Sequence, residues 1–256
     1  MFKLYIWLRT YKYELIATIV DIALVILASL NKDVTIIAGS LVLIILSFFV
    51  VLFFHSKDRD FYYLPLDKPG EEVEWIGRGD LKFHRTEGCY EITNSNVGYL
   101  YPKTLLWDDY VFEFDFKIIK NTCGWIVRAQ NLSNYVMLQC TDKGINPHIR
   151  LDGQWIVYKH DKENLTFNEQ LSFDKWYKAK ITSDKRMIKM CLTIGKEPVF
   201  NRQWIIPDKL IWQVNKENEK EKFNLLREID FDFGGIGFRN YPGERAFVKN
   251  VYINKL

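Results

Sequence analysis

The feature that most constrains this chain is an uncharged apolar segment near its start. Residues 34–54 read VTIIAGSLVLIILSFFVVLFF and contain no Lys, Arg, Asp or Glu. At about 1.5 Å per residue, a helix of this length matches a hydrocarbon core of about 30 Å. The segment is therefore predicted to span a membrane, and the rest of the chain has to be placed relative to a bilayer.

A second apolar segment, residues 15–30, precedes this span and is interrupted by Asp21. If it extends back to residue 12, it is also long enough to span, and the aromatic residues at its start form an interfacial belt. Only residues 31–33 separate the two segments, which forces an antiparallel hairpin with spans of about 12–30 and 34–54 in a membrane unit 1–55. A secretory signal peptide is the alternative, although no Ala-x-Ala cleavage site is present and Asp21 disfavours it.

The distribution of basic residues predicts how the hairpin is oriented. Only Lys32 lies in the turn, whereas six basic residues flank the hairpin on its outer sides: Lys3, Arg9, Lys12, Lys57, Arg59 and Lys68. By the positive-inside rule both termini are expected to be cytoplasmic, and the expected location is a bacterial inner membrane. Asp21 has two interpretations. Either it has a function, by lining a pore or binding a partner helix, which allows a homo-oligomer through the membrane helices, or it marks a shallow position in the bilayer.

Residues 75–256, which follow a polar linker at 56–74, have the pattern of an all-β domain. In residues 110–119 the side chains of Phe112, Phe114 and Phe116 alternate with polar ones, and this period of two is typical of a half-buried strand. About ten such short strands predict a two-sheet antiparallel jelly-roll sandwich behind the transmembrane α-hairpin. Residues 208–230 are charge-rich and are expected to form a surface loop or a short helix.

Four strings follow one another within residues 107–253: WDDYVFEFDFKII, GWIVRAQNLSNYVMLQ, DKWYKAKI and GGIGFRNYPGERAFVKNVYI. In this order they resemble the concanavalin A-like lectin and glucanase superfamily of jelly rolls, particularly its laminin-G-like and DUF1080-like bacterial members. The resemblance implies the fold more strongly than the function, because this fold carries lectins, glycanases and plain interaction domains.

The segment Glu113-Phe114-Asp115-Phe116-Lys117 resembles the catalytic strand Glu-x-Asp-x-Glu of family 16 β-glucanases. In that family the first Glu is the nucleophile and the last is the acid/base, but Lys117 stands in the last position and cannot act as that acid. No catalytic residue is therefore assigned, and the chain is not expected to be an enzyme.

Composition excludes several other kinds of site. The four Cys form no Cys-x-x-Cys pair and the four His are dispersed, so no metal or other cofactor is expected. The net charge of +3 gives no polybasic surface, so nucleic acid is not an expected partner.

A binding face is the more plausible site. In residues 135–140 alternation places Val136, Leu138 and Cys140 in the core, with Tyr135 on the opposite side. Extended to the neighbouring strands, the same alternation gives one outer face with six candidate ligand-binding residues: Arg128, Tyr135, Gln139, His148, Arg150 and Arg239. Their flat side chains and fixed donors suit a sugar, a nucleotide or a carboxylate. The alternative is that they only solvate the face or pair with carboxylates.

Two functions agree with this organisation. The first is a membrane-anchored ligand-binding protein with its jelly roll on the cytoplasmic side, and its sharper form resembles antiphage effectors that join a two-helix membrane part to a ligand-sensing β domain. Its ligand is a protein or a small molecule. The second is a cell-surface carbohydrate-binding, lectin-like or glycan-processing domain, in which the hairpin is a signal segment plus an anchor. The two readings differ in the side of the membrane on which the domain lies.

Overall fold

The structure, a computed structural model, describes residues 60–156, 165–207, 209–213, 224–228 and 230–256. Both predicted membrane spans and Asp21 lie outside these residues, so the hairpin stays a prediction. None of the short helical turns in the described ranges has the length and hydropathy of a membrane span.

Nearly all regular structure in the described part of the chain is β-strand. The strands there are β1 (Phe61–Leu64), β2 (Ile76–His84), β3 (Cys89–Leu100), β4 (Tyr110–Lys120), β5 (Cys123–Asn131), β6 (Asn134–Cys140), β7 (Ile145–Leu151), β8 (Gln154–Ile156), β9 (Tyr177–Asp184), β10 (Met187–Ile194), β11 (Glu197–Ile205), β12 (Lys209–Gln213), β13 (Asn224–Glu228), β14 (Gly235–Phe238) and β15 (Arg245–Lys255). Two 3-10 turns cover Glu71–Glu74 and Pro102–Thr104. The all-β prediction is confirmed.

The strands form two antiparallel layers that meet at β3. One layer has the order β11-β10-β9-β4-β15, and the other has the order β14-β5-β6-β7-β8. β3 pairs with β15 through residues 90–93 and with β14 through residues 99–100, while β2 runs along its other edge. The sheet is thus continuous through β3, and its two wings fold toward each other.

Large aromatic side chains pack between the two layers. Phe112, Phe114 and Phe116 of β4 are fully buried, as their alternation predicts. The rings of Phe114 and Phe116 meet Trp125 of β5 edge-on, with centroids 5.4 and 5.0 Å apart, and Phe114 contacts Phe238 of β14 at 5.1 Å. Burial of each such side chain contributes about 1.5–3 kcal/mol, so these contacts hold the layers together.

A buried asparagine fills the place where the two layers separate from β3. The Asn240 side chain donates to the carbonyl groups of Ile92 and Thr122 at 3.2 and 3.1 Å, and its Oδ1 accepts from the Gly124 N–H at 2.9 Å. These bonds satisfy backbone groups that the sheet leaves unpaired. They also fix the start of the connection between β14 and β15, residues 239–244, which carries part of the site described below.

Two segments differ from the sequence prediction. β1 lies inside 56–74, the expected linker, and pairs with β15; its sequence FYYL has no alternation that would mark it as a strand. The loop or short helix predicted for 208–230 is wrong where the structure describes that segment, because β12 and β13 pair with each other. The apolar runs in these two strands are short, and the charged residues around them dominate the local composition.

Candidate functional site

Arg128 does not lie on an outer face. Its side chain is fully buried, and Nη2 forms an ion pair with Asp109 at 2.8 Å. Nη1 donates to the Asp232 carbonyl at 2.8 Å, and Nη2 also donates to the Lys185 carbonyl. The predicted placement of Arg128 is therefore wrong: the side chain links β5 to the segments before β4, after β9 and before β14.

The cause is a bulge in β5. Arg128 has a φ of +52°, and the register with β6 shifts between Val127 and Asn131. A bulge adds a residue to one strand and breaks the alternation of its faces. Alternation along β5 therefore does not predict the direction of the Arg128 side chain, which points toward Asp109.

The other five predicted residues lie close together, on β6, β7 and the connection after β14. The Tyr135 hydroxyl is 3.4 Å from Nη1 of Arg150, and Oε1 of Gln139 is 3.2 Å from Nε2 of His148. Tyr135 is fully buried and Arg239 is 6% exposed, so these two do not present the open surface that was expected. Gln139, His148 and Arg150 are partly exposed.

Two backbone carbonyls of β3 cover this part of the face. The Val97 carbonyl accepts from the Tyr135 hydroxyl at 3.0 Å, and burial raises the pKa of Tyr135, so its hydroxyl remains a donor. The Asn96 carbonyl accepts from Nη1 of Arg150 at 3.0 Å and from Nε of Arg239 at 3.4 Å. Both guanidinium groups are thus held through one carbonyl oxygen.

Trp155 of β8 is the centre of the cluster. The guanidinium carbons of Arg239 and Arg150 lie 4.7 and 5.5 Å from the centroid of its ring, and the Tyr135 ring meets it edge-on at 5.8 Å. Arg239 also lies 5.3 Å from the ring centroid of Tyr241, which is 53% exposed. Contacts between cations and aromatic rings contribute about 0.5–2 kcal/mol each, so the rings fix the position of both guanidinium groups.

The electrostatics of the two arginines are unusual. Among the described residues neither forms an ion pair with a carboxylate. Burial is the main cause that lowers the pKa of Arg239; the nearby Tyr135 and Glu244 oppose it, and the charge of Arg150 adds a smaller lowering effect. Nε of Arg150 is buried without a partner, which costs about 1–3 kcal/mol. The cluster therefore carries excess positive charge.

Gln139 and His148 extend the cluster toward Glu244. Nε2 of Gln139 donates to Oε1 of Glu244 at 2.9 Å, and Oε2 of Glu244 accepts from the Tyr241 N–H at 2.6 Å. Because the amide nitrogen of Gln139 faces Glu244, its Oε1 is left to accept from Nε2 of His148. Both carboxylate oxygens of Glu244 are thus used in hydrogen bonds within the protein.

Sequence reasoning missed Tyr241 and Glu244 as members of the cluster; Trp155, near a loop tip, could be a stacking platform, but as one of eight tryptophans it was assigned to the core and left out of the six candidates. A signal for Trp155 exists: the tight turn at Asp152-Gly153 joins β7 to β8 and pairs Trp155 directly with Arg150. A hairpin read from that turn brings the two side chains together. Tyr241 and Glu244 lie in an irregular connection, for which no periodic pattern exists.

The carboxylates of the glucanase-like segment are engaged in structural contacts. Glu113 and Asp115 share the outer face of β4, where Glu113 pairs with Lys180 at 2.9 Å and Asp115 accepts from Nδ2 of Asn250 at 2.7 Å. Lys117 is buried in an ion pair of its own. The segment thus joins β4 to its neighbouring strands and holds no free pair of carboxylates.

The buried cysteines Cys89 and Cys123 are poor nucleophiles. All four are free thiols. Burial raises the pKa of Cys123 to about 12 and that of Cys89 to about 11, so neither is a thiolate at neutral pH. In the described ranges no three His, Cys, Asp or Glu side chains converge as metal ligands.

Comparison with known proteins gives fold-level likenesses only. No protein-family model matches the chain, and no curated protein is significantly similar to it in sequence. A carbohydrate-binding module, CBM66 from Bacillus subtilis, is 13% identical over 71% of this chain and 96% of its own, with a TM-score of 0.46. A B. subtilis protein of unknown function with a galectin-like fold is 13% identical over 76% and 94%, with a TM-score of 0.48. The GH43 protein BlXynB from Bacillus licheniformis is 10% identical over 75% of this chain and 38% of its own, with a TM-score of 0.45.

Proposed function

We propose that the β-sandwich is a carbohydrate-binding domain whose site is centred on Trp155. The observation that supports this proposal is the contact of the Arg239 guanidinium with the rings of Trp155 and the half-exposed Tyr241. Around these rings stand partly exposed polar side chains, those of Arg150, His148 and Gln139. The residues come from β6, β7, β8 and the β14–β15 connection, so the sandwich positions them.

Sugars have two kinds of surface that this arrangement matches. The C–H groups of a pyranose ring form an apolar patch, which packs on an aromatic face such as that of Tyr241. The hydroxyl groups around the ring edge need planar side chains that donate or accept in fixed directions, which guanidinium, amide and imidazole groups provide. Because carbonyls of β3 and the carboxylate of Glu244 already orient these groups, binding orders few side chains.

The proposal is for binding rather than cleavage. Retaining glycoside hydrolysis needs two carboxyl groups about 5–5.5 Å apart on either side of the scissile bond. Among the described residues, Glu244 is the carboxylate that lies in the cluster, and its oxygens are held by Gln139 and the backbone of Tyr241. The carboxylates of β4 are engaged on the outer face of the other layer.

We further propose that residues 12–54 anchor this domain to a bilayer. A lectin-like role places the domain on the side of the membrane where glycans are, whereas the basic residues predict the cytoplasmic side. Protease treatment of intact and permeabilised cells that express the full chain with a C-terminal tag tests this directly. Cleavage in intact cells supports the glycan-binding side. Protection in intact cells favours the ligand-sensing hypothesis with a cytoplasmic domain.

The binding proposal is tested on a glycan array with the full chain in detergent. Tyr241→Ala is expected to weaken binding by up to about tenfold, because it removes the exposed stacking face. Tyr252→Ala is the matched control: Tyr252 is also exposed, but it lies on β15 in the other layer. If no glycan binds, or if the two variants weaken binding equally, the proposed site is wrong.

A further inference from the structure

Resting on this proposed function, we infer that the glycan bound at Trp155 is acidic and that a uronate carboxylate lies against Arg150 and Arg239. The inference comes from a charge imbalance inside the cluster. Two guanidinium groups occupy it, and neither has a carboxylate partner in the described residues. A neutral sugar leaves that imbalance in place, whereas an anionic one removes it.

The two cations are held close together by the protein itself. Nη1 of Arg150 and Nε of Arg239 donate to the same oxygen, the Asn96 carbonyl, at 3.0 and 3.4 Å. The two guanidinium groups also lie near the same indole ring, that of Trp155. Like charges at this separation repel each other, and the repulsion is stronger away from water. An anion between them replaces this repulsion with attraction.

Donor groups remain for such an anion. Arg239, 6% exposed, uses Nε for Asn96 and Nη1 for the sulfur of Met137 at 3.6 Å, and its Nη2 donates to none of the described residues. Nε of Arg150 is buried and has no partner. A sulfur atom is a weak acceptor, so the guanidinium of Arg239 is poorly satisfied for a buried cation.

Glu244 does not neutralise the pair. Its oxygens accept from Gln139 and from the Tyr241 N–H, and it stands beyond ion-pair distance from Arg239. Counting Glu244 as a nearby negative charge, the two guanidinium groups still leave one net positive charge among the described residues of the cluster. A single monoanionic group balances that charge.

A carboxylate fits the geometry better than other anions. A guanidinium group presents its N–H donors in one plane, and a planar carboxylate accepts two such donors side by side. In a uronate the carboxylate is attached to the sugar ring, so the same ligand places a pyranose near Tyr241. The ligand class is thus a glycan that contains a uronate residue.

The test compares one polymer in two forms, with its carboxyl groups charged and with the same groups neutralised as methyl esters. The full chain in detergent is titrated with polygalacturonate and with the same polymer after full methyl esterification. The free acid is expected to bind about ten- to a hundredfold more tightly, the usual strength of a hydrogen bond to a charged group. This preference is expected to shrink as salt is added. Dextran sulfate, with dextran as its neutral counterpart, shows whether a sulfate replaces the carboxylate.

The variant Arg239→Gln removes one of the two charges and is expected to abolish the preference for the acid. Arg78→Gln is the matched control, since Arg78 is exposed on β2 and the net charge changes equally. Arg150→Gln, at a partly exposed position, tests the same point if Arg239→Gln does not fold.

Each result has one meaning. Equal binding of acid and ester overturns the inference but leaves carbohydrate binding intact. If neither polymer binds, the inference is wrong. If no glycan on the array binds, the proposed function itself is wrong. Loss of the preference in Arg78→Gln as well means that overall charge, not this site, attracts the acid. Tighter binding of dextran sulfate than of polygalacturonate overturns the choice of a carboxylate.

Discussion

Arg128 and Arg239 are both almost completely buried, yet their surroundings differ in kind. Arg128 has an ion pair with Asp109 and donates to two backbone carbonyls. Arg239 has two aromatic rings, a long bond to one carbonyl and a methionine sulfur. A buried cation is expensive, and its cost is offset by opposite charge and hydrogen bonds. The contacts of Arg128 therefore join three segments of the fold, while those of Arg239 include no carboxylate among the described residues, which is the basis of the proposed acidic ligand.

Replacing each arginine by Met separates the two roles, and this is the largest effect we expect. Arg128→Met leaves the Asp109 carboxylate without its partner and is expected to lower the free energy of unfolding by about 3–5 kcal/mol. Arg239→Met breaks no ion pair and is expected to change it by less than about 1 kcal/mol. Denaturant unfolding followed by tryptophan fluorescence measures both. Equal losses of unfolding free energy would show that Arg239 contributes as much to stability as Arg128 does.

Gly124→Ala tests how firmly the backbone at Arg239 is held. An added Cβ would lie 2.1 Å from the Arg239 carbonyl oxygen, so the connection after β14 has to move. We expect a loss of about 1–3 kcal/mol of stability, typical of overpacking, together with weaker glycan binding.

Gly88→Ala is the control for this substitution. Gly88 has a φ of +57° and open space around it, so Ala strains the backbone there without displacing a neighbour. We expect a smaller loss of stability and unchanged binding. If the two variants bind glycan alike, the position of Arg239 does not depend on contact with β5.

Acid titration probes the Arg128 region by a different route. Burial alone would raise the pKa of Asp109, but the hydrogen bonds from Arg128 and from the Lys185 N–H, with the charges of both residues, hold it below its usual value. A carboxyl group whose pKa is lower in the folded state stabilises the fold above its unfolded pKa of about 3.9. That stabilisation is lost as the pH falls through the folded value.

The measurement is the urea midpoint between pH 6 and pH 3. We expect the midpoint to fall at the acid end, and to fall less steeply in Asp109→Asn, which lacks the titrating group. Identical slopes in the two proteins would mean that other carboxylates determine the acid sensitivity.

The smallest effect is expected for Glu113→Gln on the outer face of β4. Its partner Lys180 is largely exposed, and exposed pairs contribute about 0–1 kcal/mol. We expect a change within that range and no change in glycan binding. A large loss of glycan binding in this variant would move the site to the outer face of β4.

Regular strands were predictable from the sequence, whereas the site was predictable only in part. On β4 the alternation of Phe112, Phe114 and Phe116 marks both the strand and its buried face, because burial of one face imposes a period of two. The same rule places Val136 and Leu138 in the core, where the structure has them.

The rule fails where the backbone leaves the regular pleat or where a distant segment covers a face. At Arg128 the bulge changes the direction of the side chain. At Tyr135 the alternation points away from the core, but the backbone of Val97 covers that side and buries the ring. Tyr241 enters the site through a connection held by Asn240, a long-range contact that no local pattern contains.

The place of β15 in the sheet has a consequence for biosynthesis. Arg245–Lys255 lies between β3 and β4 in its first half and between β1 and β4 in its second half, so earlier strands on both sides depend on it. On a ribosome, β1, β3 and β4 emerge long before this strand, and the edges of these strands that pair with β15 stay open until it appears. Closure of the sandwich is therefore expected to wait for β15, and until then the open edges are available to pair with other chains.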